Sequence, residues 1–314
     1  MTTLESLHSL QDELDILTLQ IMEFSPKEVT DIFLDKVKEL ASTEILSQAT
    51  KKGDFIEPFK LKASFLPPPS ADVEYSDKSK KQKLTSTTAT TIRSSTLLTQ
   101  GPLVITFVRG DWCPMCCATL QAFNRAVPHI KAKGANLIAI APQRKPLTSP
   151  SAKMQGTNSN DDGDDSLLQY PILYDKGNKV AKQFKISYIM DDETSTLFEE
   201  ISGLDFTEIN DDDSYTLPLP ATFVVNTNGE VVYSFVDCDP SKRAEPQDVI
   251  NAIPPAATKR RSPLLLSPRK TIKTTFRNIY NTCRRPPLPF PTGGNRSPFT
   301  TRGGGLTRAT TRST

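Results

Sequence analysis

The chain is poor in the ligands a structural metal would need. A zinc site takes four, usually from two C-x-x-C pairs. Here one such pair exists (Cys113 and Cys116), and Cys117, Cys238, Cys283, His8 and His129 are scattered. Five cysteines at no regular spacing also fail to make the disulfide framework of a small secreted domain. No run of eighteen apolar residues is present, so no membrane span is expected. Residues 1–10 lack the basic start and apolar core of a signal peptide. A cytoplasmic, reducing setting follows as the expectation, and it favours catalytic over structural cysteines. The acidic cluster Asp161, Asp162, Asp164 and Asp165 fits no calcium-loop spacing and reads as a solvated loop.

Apolar residues are scarce as well, at 37%, and the 25 prolines outnumber the 14 glycines, so part of the chain is expected to stay unpacked. Charge is divided. From Lys259 onward there are thirteen Lys/Arg and no Asp or Glu, which leaves about −11 on the rest of a chain of net +2. An acidic body with a basic, Pro/Ser/Thr-rich tail over 254–314 reads as a globular unit with a disordered appendage. Such a tail binds polyanions weakly and in a salt-sensitive way. Its short patterns, Ser267-Pro-Arg-Lys270 and Arg284-Arg-Pro-Pro-Leu-Pro289, are too generic to name a nucleic-acid or SH3-type partner.

Periodicity outlines the body. Leu4, Leu7, Leu10, Leu14, Leu17 and Ile21 repeat at three and four, as do Val29, Ile32, Phe33, Val37, Leu40 and Ile45. Between them Ser25-Pro-Lys-Glu28 matches a capping box, so residues 1–53 are predicted to form a packed helical hairpin. Residues 54–253 are predicted to form one domain, with Phe55, Phe59 and Leu61 in a first strand. Residues 67–99 and 145–166 read as flexible insertions. Strands are expected at 103–108, 136–142 and 171–175, a helix over 118–133, a short one around 180–184 and a last one over 246–253. Two β-runs flank Asn228-Gly229, a strong hairpin signal. The order β-α-β, hairpin, helix is that of an α/β, thioredoxin-like mixed sheet flanked by helices.

What the chain does hold is Trp112-Cys113-Pro114-Met115-Cys116, set between an apolar strand and a helix. With Cys113 as N-cap and Pro114 at the first helical position, both sulfurs fall in the first turn. Unpaired N–H groups and the helix dipole favour a thiolate there, and Arg109 adds a fixed cation nearby. Buried, inert cysteines are the plain alternative. Trp112 is expected at the rim of the turn. Cys117, rotated about 100° from Cys116, is expected in the core. Cys238 is a minor candidate for a resolving thiol, and His129 reads as a surface residue. Arg243 is read as a helix-entry charge in preference to an active-site cation.

Arg109-Gly-Asp-Trp-Cys-Pro-Met-Cys116 resembles the R-G-x-W-C-P-x-C signature of the peroxiredoxin-like branch of the alkyl hydroperoxide reductase/thiol-specific antioxidant (AhpC/TSA) family. Leu217-Pro-Leu-Pro-Ala-Thr-Phe223 and Val236-Asp-Cys-Asp239 with Arg243-Ala-Glu-Pro246 agree with it too. The resemblance implies a peroxidase for hydrogen peroxide or organic hydroperoxides, recycled by thioredoxin or a similar dithiol, with no cofactor and no metal. In the P-x-x-x-T-x-x-C register of other peroxiredoxins, Arg109 takes the proline's place, Cys113 the threonine's and Cys116 the attacking cysteine's. In the thioredoxin register Cys113 attacks and Cys116 resolves, so the order of the two stays open. Pro220 stands where thioredoxins keep a cis-proline and is expected to line the substrate groove with Trp112. A protein-disulfide reductase, or a non-catalytic redox-responsive binding protein, are the other readings.

Overall fold

The computed structural model describes residues 9–67, 90–144 and 168–255. From the N-terminus, α1 (Leu10–Phe24), α2 (Lys27–Ser42) and the single turn α3 (Ile45–Gln48) precede β1 (Lys60–Phe65). Then come β2 (Thr91–Arg93), α4 (Ser94–Gln100), β3 (Leu103–Phe107), α5 (Pro114–Ala132) and β4 (Asn136–Ala141). After β5 (Ile172–Tyr174) follow α6 (Lys179–Gln183), β6 (Ser187–Ile189), α7 (Asp192–Ser202) and α8 (Phe206–Asn210). The chain closes with β7 (Thr216–Pro218), β8 (Ala221–Val225), β9 (Val231–Val236) and α9 (Pro246–Ala252).

Seven strands form one sheet in the order β2-β1-β5-β4-β3-β8-β9, and β6 pairs with β7 apart from it. The centre is parallel, β3 with β4 and β4 with β5, while the flanking pairs are antiparallel. Because successive side chains of a strand point to opposite faces, Val104 and Val108 enter one core cluster and Leu103, Ile105 and Phe107 the other. Both faces are therefore apolar, as a strand covered by helices on both sides requires. The first cluster holds Leu10 and Leu14 of α1, Phe123 and Ile130 of α5, and Val249 and Ile250 of α9. The second centres on Phe107, Phe184 and Phe223, with ring centroids 4.8 to 6.0 Å apart. On the α5 face Thr222 donates its hydroxyl to Thr106 across the β3–β8 pair at 3.2 Å, so neither buried hydroxyl is left unpaired. This is the expected thioredoxin-like mixed sheet flanked by helices.

Several expectations need correction. The segment 67–99 is not wholly an insertion: β2 pairs with β1 at the sheet edge and α4 follows it. Ile92, Leu97 and Leu98 lean on the second core cluster, which gives this short stretch the apolar contact its Ser/Thr-rich sequence hid. The N-terminal helices do not form a hairpin packed on itself. α1 packs on α5, and α2 packs on α3 and α7. Their leftover apolar faces stay exposed, Leu19 at 69% and Phe24 at 84%. The capping box at 25–28 is not formed either, because the N-cap position falls on Pro26 and no side chain caps α2. The first strand begins at Lys60, and Phe55 makes only an isolated bridge to Glu230. Leu4, Leu7 and His8, the acidic cluster, Cys283 and nearly all of the tail lie outside the described residues. Among the described residues no helix is long and apolar enough to cross a membrane.

Candidate active site

β3 carries the chain from the sheet centre to a five-residue turn, 108–112, and α5 starts on its far side. Cys113 is the N-cap of α5 and Pro114 opens the first turn, where its missing N–H costs nothing. The Cys113 carbonyl accepts from the N–H groups of Cys116 at 3.0 Å and Cys117 at 3.1 Å, which brings the two C-x-x-C thiols onto one turn. The turn itself is clamped from β4's end. Gln143 accepts from Asp111 N at 2.8 Å and donates to the Asp111 carboxylate at 2.7 Å. Gly110 is required by this clamp, because a Cβ there would collide with Gln143 Oε1 and stand 2.6 Å from the Trp112 indole.

Both thiols are buried, Cys113 at 2% exposure and Cys116 at 0%. The Arg109 N–H donates to Cys116 Sγ at 3.4 Å and the Arg109 guanidinium to Cys113 Sγ at 3.2 Å. A second guanidinium approaches from the β9–α9 loop: Arg243 Nη2 donates to Cys116 Sγ at 3.5 Å, while its Nε is held by the Pro240 carbonyl at 3.0 Å. Arg243 thus touches the thiol pair and is not only the helix-entry charge expected from the sequence. The Arg243-Ala-Glu-Pro246 stretch marks the residue, but its contact with Cys116 is remote in the chain and has no local signal.

These contacts separate the two thiols. Burial pushes the Cys113 thiol well above its usual range, and its hydrogen bond to Cys116 adds to that against the pull of Arg109. Burial alone would raise Cys116 too. The hydrogen bond from Cys113, the guanidiniums of Arg243 and Arg109, and the Arg109 N–H outweigh it and hold Cys116 well below the usual thiol range. The two shifts run in opposite directions, up at Cys113 and down at Cys116. Burial works against the Arg109 charge, but the adjoining sulfurs and Tyr188 more than offset it and hold the guanidinium firmly protonated. Tyr188 of β6 is hydrogen-bonded to Arg109 and was not singled out from the sequence.

Trp112 covers the turn. The Arg109 guanidinium carbon lies 5.3 Å from its ring centroid, a cation–π arrangement. Phe206 packs edge-on at 4.9 Å and Phe198 at 6.2 Å, so α7 and α8 form an aromatic cap beside the thiols. The Nε atom of Arg109 and the Nε1 atom of Trp112 are buried donors with no hydrogen-bond partner among the described residues. Pro220 is buried one residue before β8, one step past the Phe107–Ala221 register pair, at the sheet end from which Arg109 projects. Cys117 is buried and donates to the Asp111 carbonyl at 3.4 Å. Cys238 belongs to the cluster on the other face of the sheet, away from the thiol pair, and burial followed by Asp237 pushes its thiol to about 11.

The sequence profile of the AhpC/TSA family matches residues 76–234. The chain belongs to the AhpC/TSA family. The match takes in Arg109, the C-x-x-C pair and Pro220, and leaves α1, α2 and Arg243 outside. Solved structures similar to this family member include peroxidoxin BcpB of Mycobacterium tuberculosis, at 17% identity over 65% of this chain and 96% of that one, with a TM-score of 0.41. The 2-Cys peroxiredoxin of Plasmodium vivax is similar at 14% identity over 64% and 79%, with a TM-score of 0.40. AhpC of M. tuberculosis is similar at 15% over 65% and 91%, with a TM-score of 0.40. No curated protein matches the chain.

Proposed function

We propose that this AhpC/TSA-family chain is a thiol peroxidase in which Cys116 attacks the peroxide and Cys113 resolves the product. The observation that carries the reading is the pair of donors converging on Cys116 Sγ, the Arg243 guanidinium and the Arg109 backbone N–H, inside a buried site where the Arg109 guanidinium is bonded to the neighbouring Cys113 Sγ. A thiolate at Cys116 attacks the terminal oxygen of hydrogen peroxide or an organic hydroperoxide. The S–O bond forms, the O–O bond breaks, and the departing oxygen takes up a proton to leave as water or alcohol. Cys116 is now a sulfenic acid. The Cys113 sulfur then displaces the sulfenic oxygen, a disulfide forms, and a second water leaves. An external dithiol of the thioredoxin type restores both thiols by exchange. No step calls for a metal or an organic cofactor.

Arg109 holds the pair charged on one side and Arg243 on the other. Trp112 and Pro220 border the approach. Cys238, on the far face and kept protonated, is not the resolver in this scheme. The disulfide-reductase reading would make Cys113 the first nucleophile. It is disfavoured because burial and the hydrogen bond to Cys116 push the Cys113 thiol well above its usual range. Peroxide consumption coupled to thioredoxin and its reductase tests the proposal. Turnover that stops without the dithiol donor supports it, and reduction of insulin disulfides without peroxide turnover would replace it with the other reading.

A further inference from the structure

The guanidinium that reaches Cys116 from outside its own turn belongs to Arg243, in the loop that follows β9. We propose that α1 holds Arg243 on Cys116, with Glu245 as the positioning residue that joins them. A helix N-terminus leaves several N–H groups without partners. At α1 these are met by a carboxylate more than 230 residues away: Glu245 accepts from Leu10 N at 3.1 Å, Gln11 N at 2.8 Å and Ser9 Oγ at 3.0 Å. Gln11 Nε2 donates to the Ser241 carbonyl at 3.3 Å, so the loop is gripped on both sides of Arg243. Within the loop, Asp239 accepts from Ser241 N at 2.8 Å, and the Pro240 carbonyl aims the Arg243 Nε. α1 is in turn anchored on α5, through buried Leu10 and Leu14 and through Glu13 bonded to Arg125. Cys116 sits at the start of that same α5. The loop is thus clasped between the helix bearing the thiol and the helix that caps it. None of α1, Arg243 and Glu245 falls within the stretch that the family profile matches.

The inference concerns the thiol and not its oxidant, so it is tested without peroxide. Groups facing Cys116 are Cys113 on its own helix, Arg109 from the preceding turn, Tyr188 from β6, and Arg243 from the loop that Glu245 ends. The sign of the effect separates positioning from direct electrostatics. Removing an anion near a thiol favours the thiolate, whereas unseating Arg243 disfavours it.

The experiment is the pH profile of Cys116 alkylation by iodoacetamide in the full chain, read by mass spectrometry, with Cys113 as the internal comparison. Glu245→Ala is expected to raise the midpoint of the Cys116 labelling profile by about one pKa unit, a tenfold change in the thiolate-to-thiol ratio, in the same direction as Arg243→Met. Glu245→Gln keeps acceptor oxygen at α1 and is expected to stay at or below the parental midpoint. In an Arg243→Met background, Glu245→Ala should add nothing, since both act through one guanidinium. An unchanged or lowered midpoint in Glu245→Ala would overturn the proposal, and so would a full additive shift on top of Arg243→Met. Should Glu245→Ala not fold, Ser9→Ala removes one of the three bonds, and the same rise or its absence decides. Failure of the peroxidase reading is a separate result, a parent chain that consumes no peroxide.

Discussion

Arg243 and Cys116 are 127 residues apart in the chain, and a guanidinium nitrogen of the first stands 3.5 Å from the sulfur of the second. The contact is buried on both sides, which makes a fixed charge worth more than it would be in water. With Arg109 on the other flank, the C-x-x-C pair lies between two cations that arrive from separate elements of the fold.

The two cysteines are expected to fail differently. Cys116→Ser should abolish peroxide consumption. Cys113→Ser should allow one fast turnover and then stall as a sulfenic acid that over-oxidises. Stopped-flow reduction with both single variants gives the order, and equal parental rates in both would remove these thiols from the chemistry.

The two thiols are shifted in opposite directions, so their labelling profiles should separate along the pH axis. Cys116, held low, should label at a nearly constant rate from neutral pH upward. Cys113, pushed up, should label appreciably only above the ordinary thiol range near 9.0. Comparing each site with itself across pH cancels the shared cost of opening the buried turn. Peptide-level alkylation rates check it.

Either arginine should matter to rate more than to folding. A hydrogen bond to a charged group is worth about 1.5–3 kcal/mol. Arg243→Met and Arg109→Ala are each expected to slow the first attack by roughly ten- to a hundredfold at neutral pH. Urea midpoints should move far less than the rates, and a loss of stability that accounts for the whole defect would assign these residues to packing.

Trp112 is the one tryptophan in the chain and adjoins Cys113, so its fluorescence reports on the turn. Oxidation of the thiol pair should change the emission through the Arg109 contact, and a reducing dithiol should restore it. Cys116→Ser should show no response to peroxide. A response that survives in that variant would mean that the signal arises elsewhere.

Stability should rest on the aromatic trio beneath the sheet. Phe223→Ala empties the centre of the Phe107–Phe184–Phe223 contact and is expected to cost about 3–5 kcal/mol. Phe24→Ser on the exposed end of α1 should stay within about 0.5 kcal/mol. Urea unfolding of the two variants distinguishes them.

Local patterns carried much of the fold. The apolar runs of β3 and β4 and the Asn-Gly hairpin are short-range signals, and the helix start at Cys113-Pro114 depends only on adjacent residues. The helices α7 and α8 were missed although Asp191 and Asp205 cap them through Thr194 N and through Thr207 and Glu208 N. An acidic N-cap with further acids in the first turn is readable, but a polar helix with little apolar stripe gives periodicity nothing to detect. The expected hairpin of α1 and α2 went wrong for the converse reason. Amphipathic stripes say that a face will be buried without saying against what.

By itself the sequence determined that a C-x-x-C pair would open a helix after a buried strand, because capping and strand periodicity act over a few residues. Only the tertiary structure decided which of the two thiols is pushed up and which is pushed down. That asymmetry comes from Arg243, in a loop after β9, whose guanidinium reaches Cys116, and from the Arg109 N–H aimed at the same sulfur, against a burial common to both thiols. Electrostatic influence depends on distance in space and on exclusion of water, and neither quantity is written in the spacing of residues along the chain.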